Sequence, residues 1–160
     1  MKKSGFPPVI DQNTEILILG SLPSDQSIAA NEYYANPKNQ FWKIIFAIFN
    51  NNIHLYHYNE KTELLLKNKI GLWDVMTKAE RIGSLDSNIK NEELNDFIGL
   101  FKQYPKIKKL AFNGEKSFST FIKMKHSMPQ MELITLTSSS SANTGKTVQQ
   151  KLREWEIALK

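Results

Sequence analysis

Short apolar runs alternate along this chain with longer stretches whose apolar residues recur at helical spacing. Ile16–Leu19, Ile70–Val75, Ile107–Phe112 and Leu133–Leu136 read as strands buried on both faces. Phe41–Phe49 carries apolar residues on most faces, as a buried helix does, and Asn50-Asn51-Asn52 ends it. Glu60–Lys67, with its Leu64–Leu66 run, is a short helix. Glu92–Gln103 sets Leu94, Phe97, Ile98 and Phe101 at the i, i+3, i+4, i+7 spacing of one helical face. Glu115–Lys125 buries Phe118, Phe121 and Ile122, and Thr147–Leu159 aligns Val148, Leu152, Trp155 and Leu159. Residues 1–12 read as an irregular lead-in in which Pro7-Pro8 blocks a helix. Residues 53–59 read as a polar, aromatic loop and Thr77–Lys90 as a long loop.

Strands alternating with helices predict an α/β fold, a single domain over 1–160 with a four-stranded parallel sheet and helices on both faces. Parallel strands end on one edge, so the loops Gly20–Ser24, Asp74–Thr77, Asn113-Gly114 and Ser138–Asn143 should converge there. The stretch Glu15–Trp42 gathers the most suggestive chemistry. A Gly/Pro loop offers bare backbone N–H groups, and Tyr33, Tyr34 and the run Asn36–Trp42 add flat rings and carboxamides. That set suits a planar heterocycle better than a sugar or a lipid.

Composition narrows the classes. Hydrophobic content of 41% with 23% charged residues is that of a soluble globular protein. No run approaches the ~20 apolar residues of a membrane span, and MKKSGFPPVI lacks the apolar core of a secretory signal. The absence of cysteine excludes disulfides, thiolate metal sites and a cysteine nucleophile, and an intracellular, cytoplasmic protein is expected. A net charge of +5 favours a polyanionic partner through phosphate neutralisation.

Several signals point elsewhere and weigh little. Thr144-Gly145-Lys146-Thr147 looks like the end of a P-loop, but Ser140 stands where its first glycine belongs, and too little chain follows for a magnesium-binding Asp. It reads instead as a helix start, its N–H groups available to a DNA phosphate. His54 and His57, with Glu60, have ligand-like spacing, but no further ligand converges on them, and His126 is isolated. Ser138–Ser141 lacks a histidine base, so hydrogen bonding to a phosphate backbone is favoured over serine catalysis. Taken singly, Tyr34 is a loop aromatic, Asn39 a helix N-cap and Asp74 a strand-end cap; their shared location gives them functional weight.

GSLPS (20–24), YYANPKNQFW (33–42), GLWDV with ERIGSLDS (71–75 and 80–87), FNG (112–114) and SSSSAN (138–143) together resemble the uracil-DNA glycosylase superfamily. The likeness is closest to its hypoxanthine (deoxyinosine) DNA glycosylase branch, and YYANPKNQFW is also similar to mismatch-specific uracil-DNA glycosylases. The resemblance implies a three-layer α/β/α sandwich, a monomer with no metal or cofactor, and DNA carrying a deaminated base as partner, with action at the nucleoid. It places Asn39 as the catalytic residue and Tyr34 as the ring that stacks on the extruded base. Leu22 takes the position that other branches fill with a water-activating Asp or Asn, which leaves Asn39 to orient the water. Gly20, Ser21, Leu22, Asp74 and Asn113 would complete the base pocket. Ser24, Ser138, Ser139, Ser140, Ser141, Ala142, Asn143 and Lys146 would meet the DNA, with Ala142 as a small wedge. Thr137 and Ser141 replace prolines expected in a PSTSPAN-like motif, which predicts a looser loop. No lysine stands in the pocket loops, so base release without strand cleavage is expected. A mismatch-type uracil enzyme and a non-catalytic nucleic-acid-binding module of the same fold are the alternatives.

Overall fold

The computed structural model describes residues 2–50, 57–123 and 129–160. Along them run β1 (Lys2–Ser4), β2 (Ile16–Gly20), α1 (Asp25–Ala30), α2 (Phe41–Phe49), α3 (Tyr58–Lys67), β3 (Ile70–Asp74), β4 (Met76–Glu80), β5 (Lys90–Leu94), α4 (Phe97–Gln103), β6 (Lys109–Asn113), α5 (Glu115–Ile122), β7 (Glu132–Leu136) and α6 (Val148–Leu159). The four expected strands form a parallel sheet in the order β3-β2-β6-β7.

Strand alternation divides the core in two, because successive side chains point to opposite faces. Ile18, Leu72, Ala111 and Leu136 pack with Phe41 and Ile45 of α2, Leu65 of α3 and Trp155 of α6. Leu17, Leu19, Leu110 and Phe112 pack with Phe97 and Phe101 of α4 and Phe121 of α5. Helices therefore cover both faces, and the sandwich has three layers. Trp155 is fully buried at the centre of the first layer, edge-on to Phe41 at 5.8 Å, and its Nε1 donates to the Thr137 carbonyl at 3.0 Å.

A second, antiparallel sheet in the order β1-β4-β5 departs from the expected pattern. It corrects three expectations: the lead-in contains β1, the long loop Thr77–Lys90 contains β4, and the helix expected from Glu92 begins instead at Phe97. Asp96 caps that helix by accepting from Gly99 N–H, while Asn95 Nδ2 reaches back to the Asp74 carbonyl at 2.7 Å. Leu94, first in the apparent helical stripe, instead ends β5 and packs beside Met76, Ala79 and Leu22. Register shifts in the β4–β5 ladder break the alternation that would have marked these strands. α1 lies inside a stretch read as loop, and α3 begins earlier than expected, at Tyr58. Most of the 53–59 loop lies outside the described residues, as does the carboxyl end expected for the Glu115–Lys125 helix.

The residues resembling a P-loop end are a helix cap. Thr147 Oγ1 accepts from Gln150 N–H, and Gln150 Oε1 accepts from Thr147 N–H, which closes a capping box. No helix among the described residues is long and apolar enough to cross a membrane. Truncating Trp155 to alanine should lower the unfolding free energy by about 3–5 kcal/mol. Ile157→Ala, on the exposed face of the same helix, should stay within about 0.5 kcal/mol; urea denaturation of the two variants checks the contrast.

Candidate active site

In the order β3-β2-β6-β7 the chain passes from β2 outward to β3, then crosses back to β6 on the other side of β2. The carboxyl ends of β2 and β6 are thus a topological switch point, where a crevice opens between diverging loops. A cleft of about 360 Å³ occupies that place, with Gly20 at the end of β2 and Asn113 at the end of β6 in its lining.

Its floor is crowded. A β-carbon on Gly20 would lie 2.7 Å from Asp74 Oδ1 and 3.1 Å from the Tyr34 hydroxyl, so only glycine admits both groups. Asp74, from the end of the adjacent strand β3, is buried, and its Oδ2 has no hydrogen-bond partner among the described residues. Burial pushes its carboxyl up from 3.8 to about 7; the Asp86 carboxylate adds to the rise and the Arg81 guanidinium opposes it. Tyr34 adopts a left-handed backbone conformation (φ 56°) and stacks one ring face on Phe41 at 3.9 Å and 19°. Burial, then the Asp74 carboxylate, raises the Tyr34 phenol above its ordinary pKa.

A hydrogen-bonded chain joins the three carboxamide- and serine-bearing loops. Asn113 Oδ1 accepts from Ser139 N–H at 2.8 Å, and its Nδ2 donates to Ser139 Oγ at 2.9 Å and to the Tyr34 hydroxyl at 3.2 Å. Ser139 Oγ in turn donates to Asn39 Oδ1 at 2.8 Å. Asn39 Oδ1 also accepts from Phe41 N–H at 2.9 Å, so Asn39 helps to cap α2 although Gln40 holds the N-cap position. Two hydrogen bonds fill the acceptor capacity of that oxygen. The Nδ2 donors of Asn39 remain without a partner among the described residues.

The Gly20–Ser24 loop is held from beneath. Leu22 turns its side chain into the apolar cluster with Met76, Ala79 and Ile89, so it lends the cleft its backbone. The N–H groups of Ser21 and Leu22 have no hydrogen-bond partner among the described residues. Ser21 Oγ donates to Asp86 Oδ1 at 2.6 Å, and Ser24 caps α1 through Ser27 N–H. Buried Arg81 donates to the carbonyls of Leu22, at 3.3 Å, and Pro23. The opposite loop is tied down too. Lys151, fully buried on α6, donates to the carbonyls of Ser140 and Asn143 and to Gln40 Oε1. Glu154 accepts from both N–H and Oγ1 of Thr137. Side-chain tethers thus hold the segment where prolines were expected.

Of the residues singled out from the sequence, Gly20, Ser21, Leu22, Ser24, Tyr34, Asn39, Asp74, Asn113, Ser138, Ser139, Ser140, Ala142 and Asn143 line the one cleft. Ser141 is exposed outside the lining, and Lys146 is paired with Glu154 at 2.6 Å. The sequence reading assigned no role to Asp86, Arg81 or Lys151; ERIGSLDS carried the first two as an unassigned motif. His57 precedes α3 as its N-cap residue, while His54 and His126 lie outside the described residues. No three His, Asp or Glu side chains among the described residues gather as metal ligands.

Comparison with known proteins agrees with this architecture. Residues 7–159 match the model of the Uracil DNA glycosylase superfamily. Proteins named hypoxanthine DNA glycosylase from Methanosarcina barkeri and Methanosarcina acetivorans are each 44% identical over 160 residues, covering 100% of this chain and 99% of theirs. A Methanosarcina acetivorans protein solved by solution NMR, described as a candidate uracil DNA glycosylase, superposes with a TM-score of 0.86 at 43% identity. That likeness covers 99% of this chain and 97% of the other. With its fold, its cleft and its full-length relatives in agreement, the chain belongs to the uracil DNA glycosylase superfamily.

Proposed function

We propose that this protein is a monofunctional DNA glycosylase that hydrolyses the N-glycosidic bond of a deaminated base, with hypoxanthine as the preferred substrate. The observation that carries the reading is the buried Asp74 carboxylate in the cleft, one of whose oxygens lacks a partner. An unsatisfied buried acceptor is costly to the free protein, and an N–H donor on the ligand relieves that cost. Hypoxanthine offers such a donor at N1, whereas adenine presents a lone pair there and is repelled. The free N–H groups of Ser21 and Leu22 supply donors for O6 and for the negative charge that gathers on the departing base.

A base inside a duplex is unreachable, so the nucleotide must swing out at a cost of a few kcal/mol, least where it is mispaired. Stacking on the face of Tyr34 opposite Phe41, worth about 1–3 kcal/mol, offsets much of that. Asn39 then acts through its nitrogen. With Oδ1 occupied by Phe41 N–H and Ser139 Oγ, Nδ2 donates to the oxygen of the attacking water and holds it against C1′. This positions the water without removing a proton from it. Lys151 is committed to loop carbonyls, in keeping with base release that leaves the strand intact. The protein would act as a monomer on DNA at the nucleoid.

Uracil carries a similar donor flanked by carbonyl acceptors, and the likeness to a candidate uracil DNA glycosylase favours it as the second reading. Duplexes containing deoxyinosine, deoxyuridine or deoxyxanthosine decide between them: deoxyinosine should yield the most abasic product. Asn39→Ala should lower that rate by about 10²-fold, and full activity in this variant would remove Asn39 from the mechanism. Accepting N1–H requires ionised Asp74, so kcat/KM should rise with pH up to about 7 and then level off. Asp74→Asn should abolish that limb. The stability of the free protein should run the other way. A carboxyl raised by folding contributes most below its ordinary 3.8, and that contribution is lost as pH rises through about 7. Thermal unfolding across this window should be flatter for Asp74→Asn.

A further inference from the structure

The segment Arg81–Asp86 joins β4 to the short 3₁₀ turn at Asp86–Asn88, and its Ser84, Leu85 and Asp86 form one wall of the cleft. Two large apolar side chains of this segment face solvent: Ile82 is 81% exposed and Leu85 is 53% exposed. Ile82 is outside the cleft lining but two residues from its wall at Ser84, whereas Ile157, equally exposed, sits on α6 with no lining residue near it in sequence. The backbone beneath Ile82 is unusually well secured. The Ile82 carbonyl accepts from Asn88 Nδ2 at 3.0 Å, and the Gly83 carbonyl accepts from Arg81 Nε at 3.0 Å and from Lys3 Nζ. Ser84 Oγ accepts from Asp25 N–H at 3.2 Å, and the Leu85 carbonyl accepts from Asn88 N–H at 3.0 Å. Gly83 turns the tip with φ +72° and open space around it.

We infer that this tip is a wedge, with Ile82 entering the duplex base stack where the target nucleotide has left and Leu85 bracing the cleft side of the opening. The inference rests on the proposed extrusion of a base. Extrusion leaves a gap in the stack that an apolar side chain fills well and a methyl group fills poorly. Ala142, on the facing loop, offers only a methyl. The Arg81 tip offers a β-branched side chain on a backbone whose Ile82, Gly83 and Leu85 carbonyls are already paired inside the protein, so its presentation is fixed before DNA arrives. Arg81 grips both this tip and the carbonyls of Leu22 and Pro23, so wedge and base pocket move as one body. The stack is also the occupant that charge favours, since a chain of net charge +5 is drawn to a polyanion.

Two measurements test this. With 2-aminopurine beside deoxyinosine in a duplex, binding of the Asn39→Ala protein should raise the fluorescence as the stack opens. Adding Ile82→Ser should reduce that rise about tenfold, and adding Ala142→Gly should reduce it less. The reverse order would overturn the wedge assignment. In the otherwise native protein, Ile82→Ser should lower the ratio of excision from duplex to excision from single-stranded deoxyinosine DNA about tenfold, because a single strand has no stack to open. An unchanged ratio would equally overturn it. Absence of excision by the native protein from either substrate would refute the proposed activity instead, and the fluorescence would still decide the wedge.

Discussion

At Gly20 the end of the central strand has room for nothing larger than a hydrogen atom. The Asp74 carboxylate and the Tyr34 hydroxyl close over it from two sides. Much of the site follows from that contact. Because the residue is glycine, the Asp74 side chain can lie over the strand end instead of turning outward, and there it is buried, with one oxygen unpartnered and its ionisation displaced to about 7. A side chain at this position would push either the carboxylate or the tyrosine out of place. Both are groups that the proposed base contacts require.

The cleft is built from loops, yet they are anchored like core. Arg81 satisfies the carbonyls of the Gly20–Ser24 loop, Lys151 those of the Ser138–Asn143 loop, and Glu154 holds Thr137 at the root of the latter. Cations reaching in from neighbouring elements thus do what regular secondary structure does elsewhere, which is to pair buried backbone carbonyls. The Asn113–Ser139–Asn39 chain then ties the Ser138–Asn143 loop to the end of β6 and to the segment that leads into α2. Such a frame leaves specific groups free while fixing the rest. Those without a partner among the described residues are Asp74 Oδ2, Asn39 Nδ2 and the N–H groups of Ser21 and Leu22, and these are the donors and acceptor that the proposed base and water contacts use.

The additional sheet gives the site its third side. β4 and β5 contribute little to the main core, and their polar sequences bury only a few side chains. Their value lies in bringing Arg81 to the carbonyls of the Gly20–Ser24 loop, Asp86 to the cleft wall and Leu22 to an apolar seat. Leu22 has no polar side-chain group for chemistry, but its backbone N–H has no partner among the described residues. An apolar residue there is thereby compatible with the proposed mechanism, in which the Asn39 carboxamide positions the water.

The main sheet was legible in the chain because burying a strand on both faces demands local apolar runs, and Ile16–Leu19 and Leu133–Leu136 satisfy that demand in sequence alone. The convergence of Gly20, Asp74, Asn113 and Ser139 followed from parallelism, which places all four strand ends on one edge. The short sheet was not legible. β1 meets β4 across more than seventy intervening residues, and the bulged ladder of β4 and β5 erases the two-residue rhythm. Nor could spacing reveal that Asn39 Oδ1 is already occupied by Ser139, a hydrogen bond spanning one hundred positions. Local patterns record which face a residue must bury; which polar atoms are left unpaired depends on partners brought from distant parts of the chain, and only folding assembles them.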